Sequence, residues 1–157
     1  MISILTIDPG KSGGLCLMIT DVRGSVIDTT LRAFSPAGDV SADIHGLFFA
    51  ACVALQEPDF VRVEDVHGSG RHSDFAFGVQ LGHIQQALMT FGWDWQTISP
   101  QVWQRPLTKG LTFESAPARK SWLNKQAKRV ALGTLTPGSQ SVTLKTCDAL
   151  LIARHAA

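Results

Sequence analysis

From its first residues the chain alternates between apolar and polar positions. Ile2-Ser3-Ile4-Leu5-Thr6-Ile7 has the β-branched, two-residue period of a strand, and Asp8-Pro9-Gly10 ends it with a turn signal. Gly13 to Thr20 and Ser25 to Phe34 repeat the pattern on either side of Asp21-Val22-Arg23-Gly24, so three consecutive strands are expected to form an antiparallel meander. The period then changes. Val40 to Leu55 places Ile44, Leu47, Phe48, Ala51 and Leu55 on one helical face, and Pro58 stops that helix. Phe60 to Glu64 predicts a short fourth strand that also ends in an acid, followed by the aperiodic stretch from His67 to Ser73. Helical spacing returns from Asp74 to Phe91, where Gly78 and Gly82 are expected to mark close packing. Trp93 to Ile98 predicts a fifth strand, Pro100 to Trp103 a helical turn, Ala116 or Pro117 to Leu132 a basic helix, and Leu144 to His155 a last helix. The order β-β-β-α-β-α-β-α-α implies an α/β protein with a mixed five-stranded sheet flanked by helices. Its first three strands run antiparallel and later crossovers add parallel ones.

Composition narrows the class. With 157 residues and 45% hydrophobic content, residues 1–157 are expected to form one domain with a sizeable core. Cys16, Cys52 and Cys147 are odd in number and widely spaced, which suggests neither a disulfide framework nor a zinc site and points to a reducing, cytoplasmic setting. No apolar run approaches the roughly 20 residues of a membrane helix. The net charge of +1, from 14 basic and 13 acidic residues, announces no nucleic-acid partner, but its distribution does more. Arg105, Lys109, Arg119, Lys120, Lys125, Lys128 and Arg129 are half of all the basic residues, and only Glu114 stands among them. Such a cluster makes either a phosphate-facing surface or a solvated helix face.

Three acids carry the candidate chemistry. Asp8 and Glu64 end strands that the proposed topology makes neighbours, and Asp148 lies in the apolar run Cys147-Asp148-Ala149-Leu150, where a carboxylate is costly unless paired or metal-bound. Taken singly, each has a structural explanation: a turn residue, a strand terminus, a helix-surface charge. Taken together they can form an all-oxygen cage suited to Mg²⁺ or Mn²⁺. Two such ions about 3.5–4 Å apart can activate water and stabilise the leaving oxygen of a phosphodiester.

The strand order is that of the RNase H-like fold. Ile7-Asp8-Pro9-Gly10 with Gly13-Gly14, Val63-Glu64-Asp65-Val66-His67, Ser99-Pro100 with Trp103, and Cys147 to Ala153 resemble, in order and spacing, the successive motifs of the RuvC-like Holliday junction resolvases, especially their bacteriophage members. The resemblance implies a homodimer that binds four-way junction DNA and nicks it symmetrically with Mg²⁺. It implies no membrane partner or nucleotide cofactor, and a host cytoplasm if the protein is phage-encoded. Asp8, Glu64 and Asp148 match the family's metal-binding carboxylates. The fourth ligand, three residues before the last acid, is here Lys145, which either contacts the scissile phosphate as a further catalytic residue or is a surface lysine, since an ammonium cannot ligate a cation. Asp65 is a weak substitute because it should point to the opposite strand face from Glu64. His67 stands where the family places a base-stacking aromatic. Arg71, Arg105, Lys109, Lys120, Lys125 and Lys128 are the candidate backbone contacts, and Trp103 and Trp122 either stack on bases or pack in the core.

Competing readings differ in class. Residues 7–14 also resemble the first phosphate loop of sugar kinases, although those proteins close two such domains around ATP and 157 residues accommodate one. Lys145 keeps open a non-catalytic junction-binding protein, and a ribonuclease acting on RNA–DNA hybrids shares the fold. For the dimer, the helix from Asp74 to Phe91 is the candidate interface: Phe75, Phe77, Val79, Leu81, Ile84, Leu88 and Met89 exceed one buried stripe.

Overall fold

The computed structural model describes residues 1–10, 13–36, 38–51, 57–65 and 71–157. Strands β1 (Ile2–Asp8), β2 (Gly14–Thr20), β3 (Val26–Ala33), β4 (Phe60–Glu64) and β5 (Gln96–Ile98) form one sheet in the order β3-β2-β1-β4-β5. β1, β2 and β3 pair antiparallel, while β4 runs parallel to β1 and β5 parallel to β4. Helices α1 (Val40–Ala50) and α2 (Arg71–Phe91) cover one face, and α3 (Pro100–Thr108), α4 (Ala116–Val130) and α5 (Cys147–Ala156) the other.

Strand alternation sorts the core into two layers. Leu5, Ile7, Leu15, Leu17, Val61 and Val63 pack under α1 and α2, whereas Cys16, Met18 and Leu31 pack under α4 and α5. Asp8 and Glu64 have the other parity from Ile7 and Val63, so both carboxylates face the α5 layer. The parallel register pairs Ile7 with Val63, which sets the two acids side by side at the next position. Gly13 and Gly14 are required beside them: a Cβ on Gly13 would lie 1.9 Å from the Asp8 carbonyl oxygen, and one on Gly14 2.8 Å from that of Arg32.

After α4 the chain runs along the outer edge of β3. Thr29 donates its N–H to Thr134 at 2.7 Å, Thr136 donates back at 2.9 Å, and the Gln140 side chain accepts from Ala33 at 2.7 Å. This covers an otherwise open sheet edge and delivers the chain to α5. α5 then docks on the sheet centre, where the Thr6 hydroxyl donates to the Ala149 carbonyl at 2.6 Å.

Several expectations are corrected. β5 is three residues long, not six, and α3 extends past Trp103 to Thr108. Pro106 lies inside α3, where its missing N–H leaves the helix without a bond to the Val102 carbonyl. Gly78 and Gly82 do not mark close packing; a Cβ on either meets nothing within 4 Å. α5 begins at Cys147 rather than Leu144: the turn before it is held by side chains, the Thr143 N–H on the Thr146 hydroxyl at 3.0 Å and the Lys145 N–H on the Thr143 hydroxyl at 3.2 Å. Ile84 and Leu88 are 0% exposed within their own subunit, so they belong to the core and not to a partner-facing surface. Phe75, Val79 and Met89 point outward.

Candidate metal centre

Asp8 ends β1, Glu64 ends β4, and Asp148 lies in the first turn of α5, where a helix N-terminus favours negative charge. The Thr6–Ala149 hydrogen bond holds α5 so that the residue before Ala149 meets the residue two beyond Thr6. One carboxylate oxygen from each of the three acids lies within 4.8 Å of the others, and all three residues are at least nine-tenths buried.

Three further side chains contact the acids. Trp103 of α3, fully buried, donates its indole N–H to Glu64 Oε1 at 2.7 Å. Lys120 of α4 donates from Nζ to Asp148 Oδ2, and Cys147 Sγ lies 3.3 Å from Asp148 Oδ1. Among the described residues the centre therefore gathers three carboxyl groups against one ammonium. Burial, then the neighbouring charges of Glu64 and Asp148, hold the Asp8 carboxyl well above the usual carboxylate range. Burial also raises Glu64, outweighing the indole hydrogen bond that favours its ionised form. Burial alone would lower Lys120, but the adjoining Asp148 charge raises it. The Cys147 thiol is pushed up to about 12 by burial and by Asp148, which keeps it protonated and unreactive.

This donor set fits a hard divalent cation. Three convergent oxygens, raised carboxyl pKa values and, among the described residues, a single ammonium describe a site short of positive charge, and oxygen-only donors suit Mg²⁺ or Mn²⁺.

The other sequence candidates lie elsewhere. Lys145 is exposed in the turn before α5, its N–H on the Thr143 hydroxyl at 3.2 Å, and it makes no ion pair with the acids among the described residues. It would stand one turn before Asp148 on the same face only if the helix began at Leu144. His67 lies outside the described residues, and Arg71 opens α2, its side chain likewise outside them. Asp65 follows β4, donates its N–H to Ile98 at 2.8 Å, and is not in the acid cluster. Arg105, Lys109, Lys125 and Lys128 are exposed on α3, its C-cap and α4. Base stacking is excluded for Trp103 by its burial, whereas Trp122 is half-buried against Phe113.

Sequence reasoning placed Lys120 on a phosphate-facing surface and did not foresee its bond to Asp148. The signal was present: Lys120, Leu123 and Ala127 are spaced i, i+3, i+7, and Leu123 and Ala127 are buried, so the lysine continues the inward stripe of α4. Nothing in the local pattern marked the Trp103 N–H as a donor to Glu64.

The architecture and the acid cluster define an α/β protein of the RuvC, RNase H-like fold. The particular likenesses come from solved structures. One, Thermus thermophilus RuvC in complex with a Holliday junction substrate, matches with a TM-score of 0.61 at 16% identity over 99% of this chain and 92% of the other. A second structure of Thermus thermophilus RuvC matches with a TM-score of 0.60 at 19% identity over 98% of this chain and 92% of the other. No protein-family model matches the sequence, and no curated protein does.

Proposed function

We propose that this chain is a divalent-metal-dependent endonuclease that resolves four-way and other branched DNA by nicking phosphodiester bonds, as a RuvC-type junction resolvase does. The observation that carries the proposal is the convergence of Asp8, Glu64 and Asp148 within 4.8 Å, on the fold of a protein solved with a Holliday junction bound. The motif set in the sequence supports the narrower bacteriophage-type assignment.

Asp8, Glu64 and Asp148 would hold the cation, Mg²⁺ or Mn²⁺. When bound, it supplies the positive charge that lowers the pKa of a nucleophilic water and stabilises charge on the phosphate. The residues of the chain do the rest. The Trp103 indole fixes Glu64 Oε1, so the rotamer of that carboxylate is set before anything binds. Lys120 offsets part of the cluster's negative charge and, with 35% of its side chain still exposed, would be open to an incoming phosphate. Water adds to phosphorus, one phosphorus–oxygen bond breaks, and the leaving strand oxygen takes up a proton.

Symmetric incision requires two such centres related by a two-fold axis, and the described residues of one chain hold one. Phe75 at 78%, Val79 at 42% and Met89 at 65% exposure are apolar side chains on the outer side of α2, and they support a homodimer. Phe75→Glu is expected to convert a dimer to a monomer in sedimentation at micromolar concentration; a wild-type monomer that still nicks junctions in pairs refutes this assembly.

The decisive experiment incubates the protein with a synthetic four-way junction and Mg²⁺ or Mn²⁺, beside linear duplex and an RNA–DNA hybrid, on a denaturing gel. Nicks confined to the junction support the proposal. Binding without nicking favours the non-catalytic reading that Lys145 keeps open, and cleavage of the hybrid alone favours a ribonuclease.

A further inference from the structure

A pocket of about 360 Å³ is lined by Pro100, Gln101, Gln104, Arg105 and Thr108 of α3 and by Arg119 of α4. The α3 residues follow the spacing i, i+1, i+4, i+5, i+8 of one helix face, the face turned away from buried Trp103. No acidic residue lines the pocket. Arg105 and Arg119 are both exposed, and neither has a carboxylate partner among the described residues.

Two arginines from separate helices thus line one pocket whose lining holds no acidic residue, so the pocket is suited to an anion. Each guanidinium offers a planar fork of donors that matches the two non-bridging oxygens of a phosphodiester. Gln101 and Gln104 add neutral amide donors. The Thr108 hydroxyl is committed to the Gln104 carbonyl at 2.9 Å and shapes the wall. No aromatic ring lines the pocket, so it offers a base nothing to stack on.

Its place in the fold gives the pocket a role. α3 begins two residues after Ile98, which pairs in register with Glu64, and Trp103 of the same helix bonds Glu64. Arg119 directly precedes Lys120, which holds Asp148. Both walls of the pocket are therefore continuous with elements that position the acids.

The geometry points to a subsite in which Arg105 and Arg119 together grip one non-scissile backbone phosphate of the strand being cut, setting the register of that strand over the acid centre. This inference rests on the nuclease reading and goes beyond it by assigning a specific phosphate subsite. Lys125 and Lys128, by contrast, are exposed on α4 and do not line this pocket, and contribute only general attraction to backbone phosphates.

The test is a junction series in which single phosphates flanking the nick are replaced, one at a time, by uncharged methylphosphonates. Wild-type protein is expected to lose about 10- to 100-fold in nicking rate at one flanking position, the loss set by charge-assisted hydrogen bonds. The Arg105→Gln, Arg119→Gln double variant should show a similar loss on unmodified junction and no further loss at that position, while remaining sensitive at the others. Both side chains are exposed, so an unchanged melting temperature should accompany the loss. A variant as active as wild type, or one whose losses add to the modification at every position, overturns the subsite. The same series is also read by junction binding with Ca²⁺, so absence of nicking refutes the nuclease reading alone, while an additive binding pattern refutes the subsite alone. A protein that binds no junction overturns both.

Discussion

The bond between Trp103 and Glu64 gives the most informative single substitution, Trp103→Phe. Phenylalanine keeps an aromatic ring in a fully buried position but deletes the N–H that reaches Glu64 Oε1 at 2.7 Å. A hydrogen bond to a charged group is worth about 1.5–3 kcal/mol, and the smaller ring leaves a void costing on the order of 1 kcal/mol more. A total of about 2.5–4 kcal/mol corresponds to a fall in melting temperature of roughly 5–15 °C for a domain of this size. The loss should depend on pH. The indole favours ionised Glu64, so the bond contributes most where Glu64 is charged and fades as pH falls through its folded pKa, which burial holds above the ordinary 4.5. Urea unfolding in EDTA should therefore show a larger gap between wild type and variant at pH 8 than at pH 5. With Glu64 no longer held, the Mg²⁺ concentration for half-maximal nicking should rise. A variant whose destabilisation is the same at both pH values, with an unchanged Mg²⁺ requirement, would reduce Trp103 to a packing residue.

Three further outcomes are expected. Asp8→Asn, Glu64→Gln and Asp148→Asn should each lower nicking by at least about 100-fold while leaving junction binding in Ca²⁺ largely intact; full activity in any one removes that residue from the centre. Because burial holds the Asp8 carboxyl well above its ordinary pKa, its proton stabilises the metal-free fold at low pH and that stability is lost as pH rises through the folded pKa. In EDTA at pH 8, Asp8→Asn should melt above wild type, Mg²⁺ should reverse the order, and wild-type Mg²⁺ affinity by calorimetry should strengthen with pH; a pH-independent affinity contradicts the raised pKa. Finally, the Lys125→Ala, Lys128→Ala variant should bind junctions with a salt slope shallower by up to about 2, reflecting two lost phosphate contacts, and an unchanged slope assigns those residues to a solvated face.

What the sequence determined by itself was the order of the strands and most of the helices, with α3 expected only as a turn, and the two-sidedness of the sheet. The two-residue period of residues 2–7 and the helical stripe of Ile44, Leu47 and Phe48 are local patterns, and each records which side of its own element a residue takes. Because Asp8 and Glu64 both end strands, the expected adjacency of β1 and β4 sufficed to bring them together, and the register of Ile7 with Val63 does so. Tertiary structure decided what covers each side. Lys120 carries the inward phase of α4, but only the docking of α4 beside α5 shows that inward means Asp148. Lys145 stands outside the helix because the turn at Thr143 and the Thr6–Ala149 bond set where α5 begins and how it lies, and those contacts join residues up to 143 positions apart. Gly78 and Gly82 look like packing glycines in a helix pattern, yet face open space, while Ile84 and Leu88 look available to a partner and are sealed under the sheet. Periodicity is a property of one element and burial is a property of two, so a single chain's pattern specifies faces and leaves their partners to the fold.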